Sequence, residues 1–450
     1  MKKIYIIISA VLVLFVTLNF LYFSNILIPL KKYLPHEFKN FLTKTIFYVP
    51  SLIKQKDAMY KKYDLEYKKN RILEKKLDEI QEAKGIINEE VFPQTQFTKL
   101  NYISHNVDKI EKKNFYYGTD KFVSSFYLEV FQENLILTSK KGKFFYFSIN
   151  ELQANQVKQI KINSNLIKEI EITDTLVLND KIYISLHKKD KDCNNFSIYE
   201  AKINLDFLRF ENFFTIDSGD GKCDRDTVAG RIAYYQNGDK KGLLATVFNA
   251  HNIIDMTDQF NLIKEFKFSS LVFIDFQNKK EKLIAAGFRN PQGLIVLKDE
   301  YILTSEHGPR GGDELNKIFS GKNYGWPEVS YGEKYNENYL ETDNYRYKKS
   351  HEDFGFEEPI FSFVPSIAPS QMVELDNKFS AKWQNNILLT SLKSKSLFRL
   401  TFNKDYSNLI TYEKITVGKR IRDIAYSKKF RLIFLAEEDN QGSIGILSVN

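Results

Sequence analysis

A chain of 450 residues is long enough for two or three average domains, or for one large β-barrel, sandwich or propeller. Hydrophobic residues at 43% and charged residues at 27% exclude wholesale disorder, a collagen-like repeat and a polytopic membrane protein, and an aromatic share of 14% suits strands better than helices. The net charge of +8 arises from 65 basic and 57 acidic residues interspersed along the chain, which argues against a nucleic-acid partner, and two cysteines are too few for a disulfide-dense scaffold or a four-ligand zinc site.

Lys2 and Lys3 precede the apolar run IYIIISAVLVLFVTLNFLYF, Ile4 to Phe23, whose about 20 residues match the hydrocarbon core of a bilayer at helical rise. The exit Tyr22-Phe23-Ser24-Asn25-Ile26 carries no small-residue cleavage pattern, so residues 1–30 read as an uncleaved transmembrane signal anchor. The two leading lysines favour a cytoplasmic N-terminus, although Lys31 and Lys32 on the far side work against it. The expectation is an inner-membrane anchored protein with its bulk on the periplasmic or extracytoplasmic side.

Residues 31–95 form a spacer. Its stretch KQKDAMYKKYDLEYKKNRILEKKLDEIQEAK has no Gly or Pro, and Ile72, Leu73, Leu77, Ile80 and Ala83 recur at helical spacing. A solvated single helix or a short coiled coil fits, the latter allowing a dimer.

From residue 96 to 450 the texture changes to short β-branched or aromatic runs between polar turns, as in ENLILTSKKGKFFYFSI, LVLNDKIYISLH and RLIFLAEEDNQGSIGILSV. These are strands and hairpins, with the look of repeated antiparallel sheets closed into a barrel or propeller. No tight repeat is visible, so the pattern establishes an all-β body and does not choose between propeller and sandwich.

The block Gly287 to Tyr331 concentrates Gly, Pro and charge in a chain with only 20 Gly and 10 Pro, which marks functional loops. RNPQGL, SEHGPRGGDELN and NYGWPEVSYG stand there in order, followed by PSIAPSQM (365–372), SLKSKSLFRL (391–400) and RIRD (420–423). This series resembles the glucose/sorbosone dehydrogenase family, the soluble pyrroloquinoline quinone (PQQ) sugar dehydrogenases. The resemblance implies a six-bladed β-propeller carrying PQQ over a calcium ion. It assigns Arg289 and Asn290 to stacking and hydrogen bonding, and Lys393, Arg420 and Arg422 to the cofactor's polar edge and carboxylates. The carbonyls of Gly308 and Pro309 would serve calcium. The residue types suit a flat, triply anionic quinone, since guanidinium both stacks on a ring and pairs with carboxylates.

Plainer readings stand beside these. Arg420 and Arg422 would share one strand face and could pair with surface carboxylates. His307 has no second histidine at ligand spacing and reads as a loop residue. Asp313 and Glu314 read as braces of the loop, and Tyr324 and Trp326 as core beneath it.

One departure bears on activity. The family places an Asp-His pair shortly before Gly-Arg, and that histidine takes the sugar hydroxyl proton. Here the stretch is Asp226-Thr227-Val228-Ala229-Gly230-Arg231, with threonine at the histidine position. Threonine is no base at neutral pH without an activating partner, which leaves Asp226 as the matching catalytic candidate, while His251 downstream reads as an ordinary loop or core histidine. Two functions follow: a membrane-anchored PQQ-dependent dehydrogenase oxidising an aldose at its anomeric carbon, or a catalytically silent propeller that binds a sugar, cofactor or protein partner. In an exported protein, Cys193 and Cys223 are expected to form a bridge.

Overall fold

The apolar runs are strands, and they are short because polar turns end them. Phe131 and Asn134 face each other across a two-residue turn in which Gln132 takes the left-handed region at φ 54°. The structure is a computed structural model that describes residues 100–106, 125–154, 157–163, 170–190, 193–216, 230–247, 269–298, 300–333, 347–438 and 442–449. The expected anchor and spacer, together with Asp226, Thr227, His251 and Cys223, lie outside the described residues, as does the side chain of Cys193. Among the described residues no helix is long and apolar enough to cross a membrane.

Among the described residues twenty-five strands, numbered in chain order, form six sheets. After β1 (Leu100–Asn106), the first sheet runs β2 (Phe126–Phe131), β3 (Asn134–Ser139), β4 (Phe144–Ser148) and β5 (Lys158–Ile162), with the two-residue β9 (Phe207–Leu208) added parallel at its edge. The second comprises β6 (Ile170–Leu178), β7 (Lys181–Asp190), β8 (Cys193–Lys202) and β10 (Glu211–Thr215). In the third are β11 (Ile232–Asn237), β12 (Lys240–Val247), β13 (Ser270–Asp275) and β14 (Glu281–Ala286), and in the fourth β15 (Pro291–Leu297), β16 (Tyr301–Glu306), β17 (Asp313–Lys317) and β18 (Phe361–Phe363). The fifth holds β19 (Pro369–Glu374), β20 (Ile387–Ser391), β21 (Ser396–Phe402) and β22 (Leu409–Thr416). The sixth takes β23 (Arg420–Ser427), β24 (Leu432–Glu438) and β25 (Ser443–Val449) from the C-terminus and β1 from the other end of the body.

Six apolar clusters, one between each pair of neighbouring sheets, show that the sheets close into a ring. Phe126, Leu128 and Leu135 of the first sheet pack on Phe434 and Ile444 of the sixth, and Leu303 of the fourth packs with Met372 and Leu389 of the fifth. Because each sheet is covered on both faces, middle strands such as β3 (NLILTS) and β20 (ILLTS) read as continuous apolar runs rather than alternating ones. Each fully buried Leu, Ile or Phe contributes about 1.5–3 kcal/mol. This is a six-bladed propeller, and the choice that the strand pattern left open is made by the packing between sheets.

The ring closes through β1, which pairs antiparallel with β25 from Leu100↔Val449 to Asn106↔Ser443. Glu437, fully buried on β24, secures it by accepting hydrogen bonds from Ser104 Oγ (2.6 Å), Ser443 Oγ (2.7 Å) and the Tyr102 hydroxyl. The innermost strands are β2, β6, β11, β15, β19 and β23, each beside the next around the axis.

Candidate functional site

At the axis one guanidinium touches every blade. Arg231, 3% exposed at the entry to β11, donates from Nη1 to Asp174 Oδ1 of β6 (2.8 Å) and Asp423 Oδ1 of β23 (2.8 Å). Its Nε donates to the Gln292 carbonyl of β15 (2.7 Å), and Nη2 to Ser370 Oγ of β19 (3.3 Å) and the Arg422 carbonyl (3.0 Å). Its Cζ lies 5.2 Å from the ring centre of Tyr127 on β2. The carboxylates' remaining oxygens are also used: Asp174 Oδ2 accepts from Ile232 N (2.9 Å) and Asp423 Oδ2 from Leu128 N (2.8 Å). Burial pushes the Asp174 carboxyl up to about 6, Arg231 pulling it down and Asp423 pushing it further up. Asp423 is raised by burial in the same way.

Beside this axle lie the residues singled out in the sequence. Glu306, the last residue of β16, accepts with Oε2 from the backbone N–H groups of Arg289 (2.6 Å) and Asn290 (3.2 Å), and with Oε1 from Asn316 Nδ2 (3.0 Å). Burial pushes Glu306 up to about 7 against the pull of those two amides. Arg289 Nη1 donates to the carbonyls of His307 (2.9 Å) and Gly308 (2.8 Å), and its Cζ lies 5.3 Å from the ring centre of Trp326.

A run of side-chain contacts joins the others. Gln292 Nε2 donates to Asn290 Oδ1 (2.8 Å), and Gln292 Oε1 accepts from Arg422 Nη1 (3.1 Å). Arg422 Nε donates to Glu438 Oε1 (2.6 Å), Arg420 Nη2 to Glu438 Oε2 (3.4 Å), and Arg420 Nη1 to the carbonyl of Leu392 (3.5 Å), the residue before exposed Lys393. Arg289, Asn290, Arg420 and Arg422 are thereby brought together, and Lys393 follows directly on the backbone that Arg420 touches. The carboxylate paired with the two arginines of β23 is not a surface one, since the Glu438 side chain is only 1% exposed. Burial works to raise Glu438, but Arg422 and Arg420 hold it below the usual carboxylate range.

The neighbouring loop is braced as its residue types suggested. Asp313 Oδ1 accepts from Gly308 N (2.9 Å), while Oδ2 accepts from Ser366 Oγ (2.7 Å), Ile367 N (2.8 Å) and Ala368 N (2.7 Å). His307 bonds through Nε2 to the Pro369 carbonyl (2.8 Å) and, pushed down to about 4 by burial, is neutral at pH 7. Tyr324 is core, stacked on Phe288 at 4.8 Å with its hydroxyl on the Lys317 carbonyl. Trp326 is not core alone: it underlies Arg289 and packs on Tyr347 at 5.2 Å.

The charge of this group fits a polyanion. Arg420 and Arg422 meet one ionised carboxylate, Glu438, and with Arg289 and Lys393 added the four cations outnumber Glu438 and Asp313, while burial pushes Glu306 up to about 7 and reduces its charge near neutrality. PQQ, with three carboxylates, matches it. The expected calcium ligands fit less directly: the Gly308 oxygen accepts from the Arg289 guanidinium, whose positive charge opposes a divalent ion.

Sequence reasoning missed Gln292, Glu306, Glu438, Asp174 and the axial place of Arg231. The signal available for Glu306 and Glu438 was an acidic residue ending an apolar strand, in ILTSE and LIFLAEE.

A sequence model of the family described as Glucose / Sorbosone dehydrogenase matches residues 124–446. Aldose sugar dehydrogenase YliI of Escherichia coli is 29% identical over 171 residues, covering 37% of this chain and 44% of the relative. Quinoprotein glucose dehydrogenase B of Acinetobacter calcoaceticus is 25% identical over 225 residues, covering 38% of this chain and 45% of the relative. The chain thus matches less than half the length of either relative. The crystal structure of the soluble aldose sugar dehydrogenase from Escherichia coli in the apo form superposes with a TM-score of 0.59 at 18% identity, covering 78% of this chain and 100% of that one, and so shares the fold.

Proposed function

The chain belongs to the glucose/sorbosone dehydrogenase family, and from that premise we propose that it binds PQQ and oxidises an aldose at the anomeric carbon. The observation that carries the reading is the linked set Asn290, Gln292, Arg422, Glu438 and Arg420, with Arg289 alongside, a cationic and amide cradle assembled from the fourth and sixth blades. The quinoprotein and aldose dehydrogenase names of the relatives support the cofactor and the substrate class.

When bound, the quinone supplies a two-electron acceptor for the hydride that leaves the anomeric carbon. Arg289, Lys393, Arg420 and Arg422 would bind and orient carboxylates, and the Arg289 guanidinium, 5.3 Å from the Trp326 ring centre, adds a planar cation suited to a flat ring. Oxidation also requires a base for the anomeric hydroxyl proton, so that loss of hydride and proton leaves a lactone. Asp226 is the sequence candidate for that step, because Thr227 occupies the histidine position.

The same threonine favours a second reading, a propeller that binds cofactor or sugar without turnover. Reconstitution with PQQ, followed by dye reduction over a panel of aldoses, separates the two: turnover supports the first, and cofactor binding without turnover the second. A Thr227→His variant that gains turnover would show a site complete but for its base. Adding calcium tests whether Arg289 gives up the Gly308 oxygen to a metal. The apolar run 4–23 supports an anchored protein with an extracytoplasmic propeller, and resistance of the full chain to carbonate extraction tests it.

A further inference from the structure

We infer that Gln292 is the positioning residue that sets which end of the Asn290 amide is offered to a ligand; this rests on the cofactor-binding reading above. An asparagine side chain can present either an acceptor or a two-hydrogen donor, and nothing in its shape decides between them. Here the neighbours decide. The Arg422 guanidinium can only donate, and it is held in place through Nε by Glu438. Gln292 must therefore turn Oε1 toward Arg422, which points Nε2 at Asn290. Asn290 answers with Oδ1, and its Nδ2 lies on the opposite side of the amide with two N–H donors.

The relay is rigid because both of its supports share one anchor. The carbonyls of Gln292 and Arg422 accept from Nε and Nη2 of the same buried Arg231, at 2.7 and 3.0 Å. Gln292 is itself 8% exposed, so water does not readily replace either of its amide contacts. Asn290 is also held at its backbone, by Glu306 on its N–H and by the His307 N–H on its carbonyl (3.0 Å), so the amide orientation is the remaining freedom. The chemistry selected at this position is an acceptor, such as a carboxylate or quinone oxygen.

The test is equilibrium titration of the full chain with PQQ, read by quenching of Trp326 fluorescence, since that indole lies against Arg289. Gln292→Met keeps the backbone carbonyl and the length while removing both amide contacts, and is expected to weaken PQQ binding about tenfold, the scale of one charge-assisted hydrogen bond. In an Asn290→Ala background the same substitution is expected to change affinity less than twofold, because Gln292 then has no amide to orient. Should Gln292→Met fold poorly, Gln292→Glu replaces it: both carboxylate oxygens only accept, so Asn290 reverses, and the loss again shrinks in the Asn290→Ala background to the effect of charge. Wild-type binding with unchanged affinity in the Gln292 variants, or losses that add fully to that of Asn290→Ala, overturns the inference alone. A purely structural glutamine would lower the melting temperature and leave affinity intact. Absence of wild-type quenching overturns the cofactor reading and this inference with it.

Discussion

Replacing Arg231 with methionine would remove the single cation on which Asp174 and Asp423 both rest. Losing one partner of a buried ion pair costs about 3–5 kcal/mol, and the Gln292 carbonyl left without its donor adds about 1–3 kcal/mol, while the Arg422 carbonyl keeps the Ser370 hydroxyl. The sum is about 5 kcal/mol or more, a large part of the ~5–15 kcal/mol that stabilises a typical domain. The penalty also depends on pH. Asp174 already titrates at about 6 in the folded state, and without Arg231 both carboxyls would rise further above their unfolded value of about 4. A carboxyl raised on folding favours the native state at low pH and loses that contribution as pH climbs from the unfolded value through the folded one. Arg231→Met should therefore be more impaired at pH 8 than at pH 5. Urea denaturation followed by tryptophan fluorescence at both values measures this. A loss of under about 1 kcal/mol at pH 8, or an equal loss at both, would refute the view that this guanidinium is the electrostatic support of the ring.

Three other outcomes follow from the contacts described. Glu438 is held below its ordinary range, so its contribution is present above about 4.5 and is lost as pH falls through the depressed folded value; a Glu438→Gln variant should be less stable at pH 7 by about 3 kcal/mol and show a flatter acid limb in thermal melts. Ser104→Ala should cost about 1.5–3 kcal/mol in urea titrations, because buried Glu437 loses a donor at the closure between β1 and β25. Gly312→Ala combines φ +62° with a new Cβ 2.1 Å from the Gly332 nitrogen, whereas Gly321→Ala has φ +81° and open space; calorimetry should show the first losing about 2 kcal/mol or more and the second about 1 kcal/mol.

Much of the strand content was readable because blades covered on both faces demand continuous apolar runs, as in ILLTS and NLILTS. The strand pattern alone did not give the number and closure of the blades, because the blades do not repeat in sequence and closure depends on β1 meeting β25 across almost the whole body; the six blades followed from the resemblance carried by the ordered motifs, and the structure bears that out. The arginines of RIRD and the RNPQG pair were visible as residue types, but their connection was not. Gln292 joins Asn290 two residues away to Arg422, which is 130 residues distant along the chain, and Glu438 gathers both arginines from the neighbouring strand. Arg231 stood out only through its place in a Gly-Arg pair, and nothing in residues 226–232 announces five hydrogen bonds to four other blades. The plainer reading of Arg420 and Arg422 as surface partners failed for a physical reason: alternation put them on one strand face, and that face looks inward to the end of β24 rather than to solvent.

Completing the ring with a strand from each end of the body has a consequence for synthesis. The segment Leu100–Asn106 leaves the ribosome before its partner Ser443–Val449 exists, and at ~5–20 residues per second the wait is on the order of twenty seconds to a minute. During that interval five nascent sheets can stack while the sixth holds only its waiting strand, whose Tyr102 and Ser104 hydroxyls have as yet no Glu437 to accept from them. The polypeptide must be kept from pairing its waiting strand with a neighbour until Ser443–Val449 emerges and locks the circle.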